Sequence, residues 1–224
     1  MSHTTPIVND ELTGLLSRRA FHDVFDSLLA KSKGSDALIA LAFLDIDSFE
    51  HINQEYGHSG GDDVLKTIGE MIRQACGEDA ICARYGGDEF AVIFPNTERE
   101  QAFLSLEKLR TEAAANKFTV GKKQDTIEGI ALSGGIACYP VDGRLKSELM
   151  RKADQALYRA KVTGRAKIRL AYDEKMVPKT SHYTQTQLER LSKLAAEREA
   201  GEAELLREAL DDLLSKYGIN AIER

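Results

Sequence analysis

The segment Ala37-Leu-Ile-Ala-Leu-Ala-Phe-Leu44 is apolar for eight residues without a break and then stops at Asp45-Ile46-Asp47. It is far too short to cross a bilayer, which takes roughly 20 apolar residues. A run of this length fits a strand buried on both faces, so the rest of the chain has to cover it. The surrounding pattern supplies the cover. Asp10 can cap a helix that begins near Glu11 and runs past Phe21, Phe25 and Leu29 at helical spacing. A helical stretch follows the apolar run to Tyr56, then a glycine-containing turn over 57–61, then a second helix through Val64, Leu65, Ile68 and Ile72. Two short strands at 81–84 and 90–94 flank Tyr85-Gly86-Gly87-Asp88-Glu89, a β-hairpin signal. Helices are predicted over 98–115 and 145–162, the second ended by Gly164. Strands are predicted near 127–137 and over 167–170. The order predicts an α+β fold, a ferredoxin-like antiparallel sheet with helices on one or both faces.

Composition narrows the functional classes. The 224 residues suit one ample domain plus an appendage. Net charge is −6, and neither residues 1–170 (22 basic, 25 acidic) nor 171–224 (8 basic, 11 acidic) is basic. A nonspecific nucleic-acid coat is therefore excluded, and an anionic ligand must be held by a local constellation. No secretory signal or membrane span is visible, which points to the cytoplasm. The cysteines, Cys76, Cys82 and Cys138, are odd in number and have no CxxC spacing, predicting buried reduced thiols rather than a metal site or disulfide.

Two acidic pairs stand at sharp places. Asp45 and Asp47 end the apolar strand, and Asp88 and Glu89 occupy the hairpin tip. A carboxylate at the end of a buried strand is costly unless hydrated, hydrogen-bonded or holding a cation. Oxygen-rich sites of this kind suit Mg²⁺, which takes one or two protein carboxylates plus substrate phosphates. From spacing alone, solvated strand-end and turn acids are an equal reading.

The stretch Ala83-Arg84-Tyr85-Gly86-Gly87-Asp88-Glu89-Phe90 contains the GGDEF signature and resembles that of diguanylate cyclases. Five further pieces stand around it in the family's order. They are Asp10-Glu-Leu-Thr-Gly-Leu15, Leu44-Asp-Ile-Asp47 with Phe49 and Asn53, Tyr56-Gly-His58 with Gly61-Asp62, Ser133-Gly-Gly-Ile136, and Ala153-Asp-Gln-Ala-Leu-Tyr158 with Lys161 and Arg165. The resemblance covers about 10–170 and implies a nucleotidyl-cyclase, polymerase-palm-like sheet. It also implies condensation of two GTP into cyclic di-GMP.

Residue roles follow from the same resemblance. Asp45 and Asp88, with the Ile46 carbonyl, would hold Mg²⁺ or Mn²⁺, and Glu89 would assist with metal or proton. Gly86 and Gly87 would leave room for the nucleotide, with Phe49 nearby. Asn53 and Asp62 would read guanine, whose N1–H and N2–H₂ adenine cannot offer. Lys161 and Arg165, four apart and read as sharing one helix face, would reach the triphosphate. The chain departs from the family at Ser48, Gln54, Ala166 and above all Glu50, which stands where a phosphate-facing lysine is usual. The Arg and Asp of the family's product-inhibition pair are also missing: Gly77 and Ala80 occupy those positions.

Residues 1–9 read as a tail, 10–173 as the cyclase domain and 174–224 as a linker and dimerisation module, with Pro178 near the boundary. Two amphipathic helices around Gly201, preceded by an extended segment at 179–183, resemble a ribbon-helix-helix dimer module. An antiparallel helical hairpin or coiled coil is the other reading. Over 185–217 there are five basic and eight acidic residues, and His182 and Thr180 are the expected outward strand residues. Both observations argue against DNA as partner and for a homodimer.

Overall fold

In the computed structural model, which describes residues 8–35, 37–171, 180–198 and 201–217, the apolar run becomes the middle of a six-stranded sheet. The chain divides into two units, 1–173 and 174–224. In the first, the elements are β1 (Leu16–Ser17), α1 (Arg18–Ser32), β2 (Ile39–Ile46), α2 (Phe49–Cys76), β3 (Ile81–Arg84) and β4 (Glu89–Pro95). They continue with α3 (Arg99–Ala115), β5 (Phe118–Val120), β6 (Asp125–Ile127), β7 (Leu132–Tyr139), α4 (Lys146–Val162) and β8 (Ile168–Leu170).

Strands lie in the order β1-β3-β4-β2-β7-β8. β2 runs antiparallel to both β4 and β7, as predicted for the centre. The outer pairs, β1 with β3 and β7 with β8, are parallel. Alternation along β2 explains the unbroken apolar run. Ala40, Ala42, Leu44 and Ile46 enter a core shared with α2 and α3, through residues such as Val64, Ile68, Leu106 and Leu109. Ile39, Leu41 and Phe43 enter a second core with Phe21 and Phe25 of α1 and Leu149 and Leu157 of α4. Both faces are covered, so no position in the strand tolerates a polar side chain until its end.

Several predicted boundaries are corrected. The first helix starts at Arg18 rather than near Glu11, because Gly14 takes φ +68 and turns the chain out of a helical path. Asp10 instead caps that tight turn, accepting from Thr13 N at 2.9 Å and Thr13 Oγ1 at 2.8 Å. The turn predicted over 57–61 shrinks to Gly57 alone (φ 70, ψ 171), and the helix resumes at once. The strand predicted near 127–137 is split into β6 and β7 around Gly129, at φ +76.

In the second unit, α5 (Gln185–Arg198) and α6 (Glu202–Lys216) carry the two predicted amphipathic helices. Thr184 and Gln187 form a reciprocal cap on α5, Gln187 N donating to Thr184 Oγ1 at 3.3 Å and Thr184 N to Gln187 Oε1 at 2.9 Å. Leu188, Leu194, Leu206, Leu210, Leu213 and Tyr217 are exposed. Among the described residues, 180–184 carry no strand pairing; Pro178 and Lys179 lie outside them. Among the described residues, no helix is long and apolar enough to cross a membrane.

Candidate active site

The carboxylates gather where β2 ends, and the sheet register sets their spacing. Asp45 lies between Glu89 of β4 and Ser133 of β7. Ile46 N donates to the Asp88 carbonyl at 3.3 Å, tying the end of β2 to the hairpin tip. Asp45 is 6% exposed and Asp47 9%. Asp47 accepts Ser133 Oγ at 2.8 and 2.9 Å and Ala166 N at 3.0 Å, which satisfies it locally. Asp45 is different: the partner found for it is Lys161, whose Nζ lies 2.7 Å from Oδ2. Burial raises the Asp45 carboxyl above its ordinary value; Lys161 opposes this, and Asp88 and Asp47 add repulsion. The end of β2 thus holds more negative charge than one lysine balances.

That excess is what a divalent cation relieves. Among the described residues, no cluster of three or more His, Cys, Asp or Glu side chains is arranged to hold a metal. Two carboxylates and a backbone carbonyl fit Mg²⁺ in the mode where substrate phosphates and water complete the shell. The donor set at Asp45, Ile46 and Asp88 is all oxygen, as that ion requires.

The hairpin is braced from both sides. Arg84 donates to the Gly87 carbonyl from Nε (3.1 Å) and Nη2 (2.8 Å), and its Nη1 reaches Asp10 at 3.4 Å. Tyr85, just before the signature, packs on Phe43 and Phe21, lies under Arg18 and hydrogen-bonds His22 at 3.2 Å. Glu89 leans on its own turn: a Cβ on Gly86 would sit 2.9 Å from Glu89 Oε2. Glu89 also lines a cavity of about 330 Å³ with Phe43, Tyr85, Met150 and Asp154. Gly87 faces open space.

α4 brings the bases. It packs on β7 so closely that a Cβ on Gly135 would strike the backbone of Ala153, Ala156 and Leu157. That approach delivers Lys161, near the helix end, to Asp45. Arg165 does not share its helix face, contrary to the sequence expectation. α4 ends at Val162, Gly164 turns the chain at φ 105, and Arg165 itself takes φ 57. From this turn its Nε lies 3.9 Å from Asp47 Oδ1, with the side chain 61% exposed. The two bases still converge on the same acidic edge by different routes.

α2 brings the remaining residues. Ser48, in the left-handed region at φ 59, starts the helix, followed by half-buried Phe49 and exposed Glu50. One turn on, Asn53 lies against Gly61, where a Cβ would strike its amide oxygen and come 3.1 Å from the Phe49 ring. Gly61 therefore draws Phe49 and Asn53 to the helix position next to Asp62, which is exposed. Sequence reasoning left Ser133, the Ala166 amide and the Asp10–Arg84 brace without roles. Ser133 was detectable as the one serine in a small, apolar strand; the backbone amide carries no sequence signal.

Residues 7–167 match the family model described as diguanylate cyclase, GGDEF domain. The response regulator PleD of Caulobacter vibrioides is 34% identical over 159 residues, 70% of this chain and 35% of that protein. The diguanylate cyclase DgcP of Pseudomonas aeruginosa is 38% identical over 165 residues, 73% of this chain and 24% of that protein. The chain thus spans about a third or less of the length of these relatives. The crystal structure of the GGDEF domain of DgcB from Caulobacter crescentus in complex with c-di-GMP superposes with a TM-score of 0.69. That domain is 32% identical and the match covers 76% of this chain and 99% of that one. With a family match across most of its length and a sheet of the same form, this chain belongs to the GGDEF-domain diguanylate cyclase family.

Proposed function

We propose that the protein is a diguanylate cyclase that condenses two GTP into cyclic di-GMP and two pyrophosphates, acting as a homodimer in the cytoplasm. The observation that carries this reading is the convergence of Asp45, Asp88 and Glu89 with Lys161 at one sheet end, where negative charge is in excess. Each ribose 3′-hydroxyl attacks the α-phosphate of the other GTP, and pyrophosphate leaves in line, a transfer that rests on positioning and charge neutralisation.

Asp45, Asp88 and the Ile46 carbonyl would hold Mg²⁺ or Mn²⁺, which when bound neutralises triphosphate charge. Lys161, now on Asp45, turns to the phosphates as the nucleotide enters, and Arg165 joins it from the exposed turn. Glu89 handles the hydroxyl proton. Gly86 and Gly87 admit the nucleotide against the hairpin backbone. Asn53 and Asp62 read the guanine edge, with Phe49 beside them. Two active sites must face each other, and the exposed leucines of α5 and α6 support a second copy as their cover, as a helical or ribbon-helix-helix dimer. Glu50 favours a second reading, a weakly active or silent GTP or cyclic di-GMP binder.

Incubating the full chain with GTP and Mg²⁺ and weighing the product separates the two. Cyclic di-GMP formed by wild type and lost in Asp88→Ala supports the cyclase. Binding of GTP without any product supports the silent binder.

A further inference from the structure

After α4 the chain makes a turn that its own side chains oppose. Gly164 takes φ 105, Arg165 φ 57 and Ala166 φ 49. A β-carbon disfavours the left-handed region, and neither arginine nor alanine has the short polar side chain that lets asparagine or aspartate enter it. Among the described residues, these two are the only adjacent non-glycine residues with positive φ. Such a conformation persists only where its surroundings over-determine it, and it collects where strain serves a function.

Both flanks of the turn are tied down. Arg165 N donates to the Ala160 carbonyl at 2.9 Å, and past the turn Gly134 N of β7 donates to the Lys167 carbonyl at 2.9 Å. Between these ties stands Asp47, the residue after β2. Its Oδ2 accepts Ala166 N at 3.0 Å, and its Oδ1 faces Arg165 Nε at 3.9 Å. Asp47 is buried, and so is Ser133 of β7, whose Oγ lies 2.8 and 2.9 Å from the two carboxylate oxygens. A fixed, buried acceptor thus holds the backbone of an exposed turn.

We propose that Asp47 is a positioning residue: it latches the 164–166 turn to the end of β2 and so sets where the Arg165 guanidinium stands at the acidic edge. This rests on the reading of Arg165 as a triphosphate contact. Arg165 has left α4, so no helical ladder fixes its backbone, and the latch takes over that task. The role belongs to the acceptor oxygen and not to its charge. A negative charge near a triphosphate repels it, and an ion pair at 3.9 Å on a side chain 61% exposed contributes little. Losing the bond to Ala166 N, by contrast, frees a turn that the backbone itself disfavours. Acceptor and charge therefore predict opposite signs, which makes them separable.

The test uses the full chain, Mg²⁺ and 3′-deoxy-GTP, which lacks the hydroxyl that would attack. Its affinity is read by calorimetry without turnover, so a wild type that makes no cyclic di-GMP from GTP would end the cyclase reading while this measurement still decides the latch. Hydrogen exchange at the Ala166 amide is followed by residue-resolved NMR without nucleotide. Asp47→Ala should speed that exchange and weaken probe binding, each by about tenfold, the scale of one lost hydrogen bond to a charged group. Asp47→Asn keeps an oxygen in place, so it should hold the amide near wild type and bind the probe at least as tightly. In an Arg165→Ala background, Asp47→Ala should cost no further affinity. Ser133→Ala, which unpins the carboxylate without removing it, should give the same two changes to a smaller extent, and it carries the test if Asp47→Ala does not fold. Wild-type exchange and affinity in a folded Asp47→Ala or Ser133→Ala overturn the proposal. So does a loss in Asp47→Asn equal to that in Asp47→Ala, which would assign the role to charge. An equal loss with and without Arg165 overturns it as well, since Asp47 would then act on the nucleotide by another route.

Discussion

The strand-end carboxylates and the face of α2 proposed to read guanine are built in opposite ways. Asp45 is fixed by backbone pairing on both sides of β2, buried, and raised above its ordinary value. Asn53 and Asp62 stand on one helix interrupted at Gly57, the first half-buried and the second exposed, and a single glycine contact brings their segments together. The sheet holds charge at a cost that a bound cation would offset; the helix holds the groups proposed to read the base at almost none. The lesson is a division of labour: rigidity where charges must stay close, and accessibility where a neutral edge is read.

The strongest test of this division removes charge from the rigid side. Asp88→Ala should abolish cyclic di-GMP formation, because half the carboxylate contribution to the cation site is lost. Equal turnover in wild type and variant would break the comparison at its root. On the helix side the effect should be smaller. Asp62→Ala should weaken GTP binding by about 1–3 kcal/mol, the scale of a hydrogen bond to a charged group. ATP competing with wild type as well as GTP does would remove the base-reading role.

Glu50 sits between the two regions, in the first turn of α2 and exposed. Two unit charges about 4 Å apart interact by about 4 kcal/mol at an effective dielectric near 20, and solvent reduces this further. Replacing repulsion by attraction needs only about 1.4 kcal/mol to give a tenfold change. Glu50→Lys should therefore raise activity or GTP affinity by about tenfold. A folded variant no faster and no tighter would show that the residue stands clear of the phosphates.

Much of this was legible in the sequence, for a physical reason. The apolar run read as a two-face-buried strand, and its abrupt end at Asp45 marked the candidate site. The hairpin followed from Gly86-Gly87 between two short strands. What could not be read was set by backbone torsion and by contacts distant in sequence. Nothing in the spacing of Lys161 and Arg165 says that Gly164 takes φ 105 and removes the second base from the helix. Gly14 and Gly129 moved boundaries in the same way, through positive φ values that any glycine permits but none announces.

The smallest expected effect separates the regions most cleanly, because it acts on the first turn of α4. Glu148 Oε2 accepts the backbone amides of Arg144 (2.9 Å) and Leu145 (3.0 Å) at the helix start, while Lys161 stands at the other end. Removing such a cap costs about 1 kcal/mol, so Glu148→Ala should lower the midpoint of thermal unfolding by a few degrees. The bonds from Leu145 and then Arg144 hold the Glu148 carboxyl below its ordinary value of 4.5. A carboxyl lowered by folding stabilises fully above its unfolded value, and the contribution is lost as pH falls through the folded one. Wild type and variant should therefore differ at neutral pH and converge as the pH drops well below 4.5. Since α4 carries Lys161 but neither Asn53 nor Asp62, any change in GTP affinity should appear without a change in preference for guanine. A variant that loses discrimination between GTP and ATP would show that the two regions are coupled through the sheet rather than separately built.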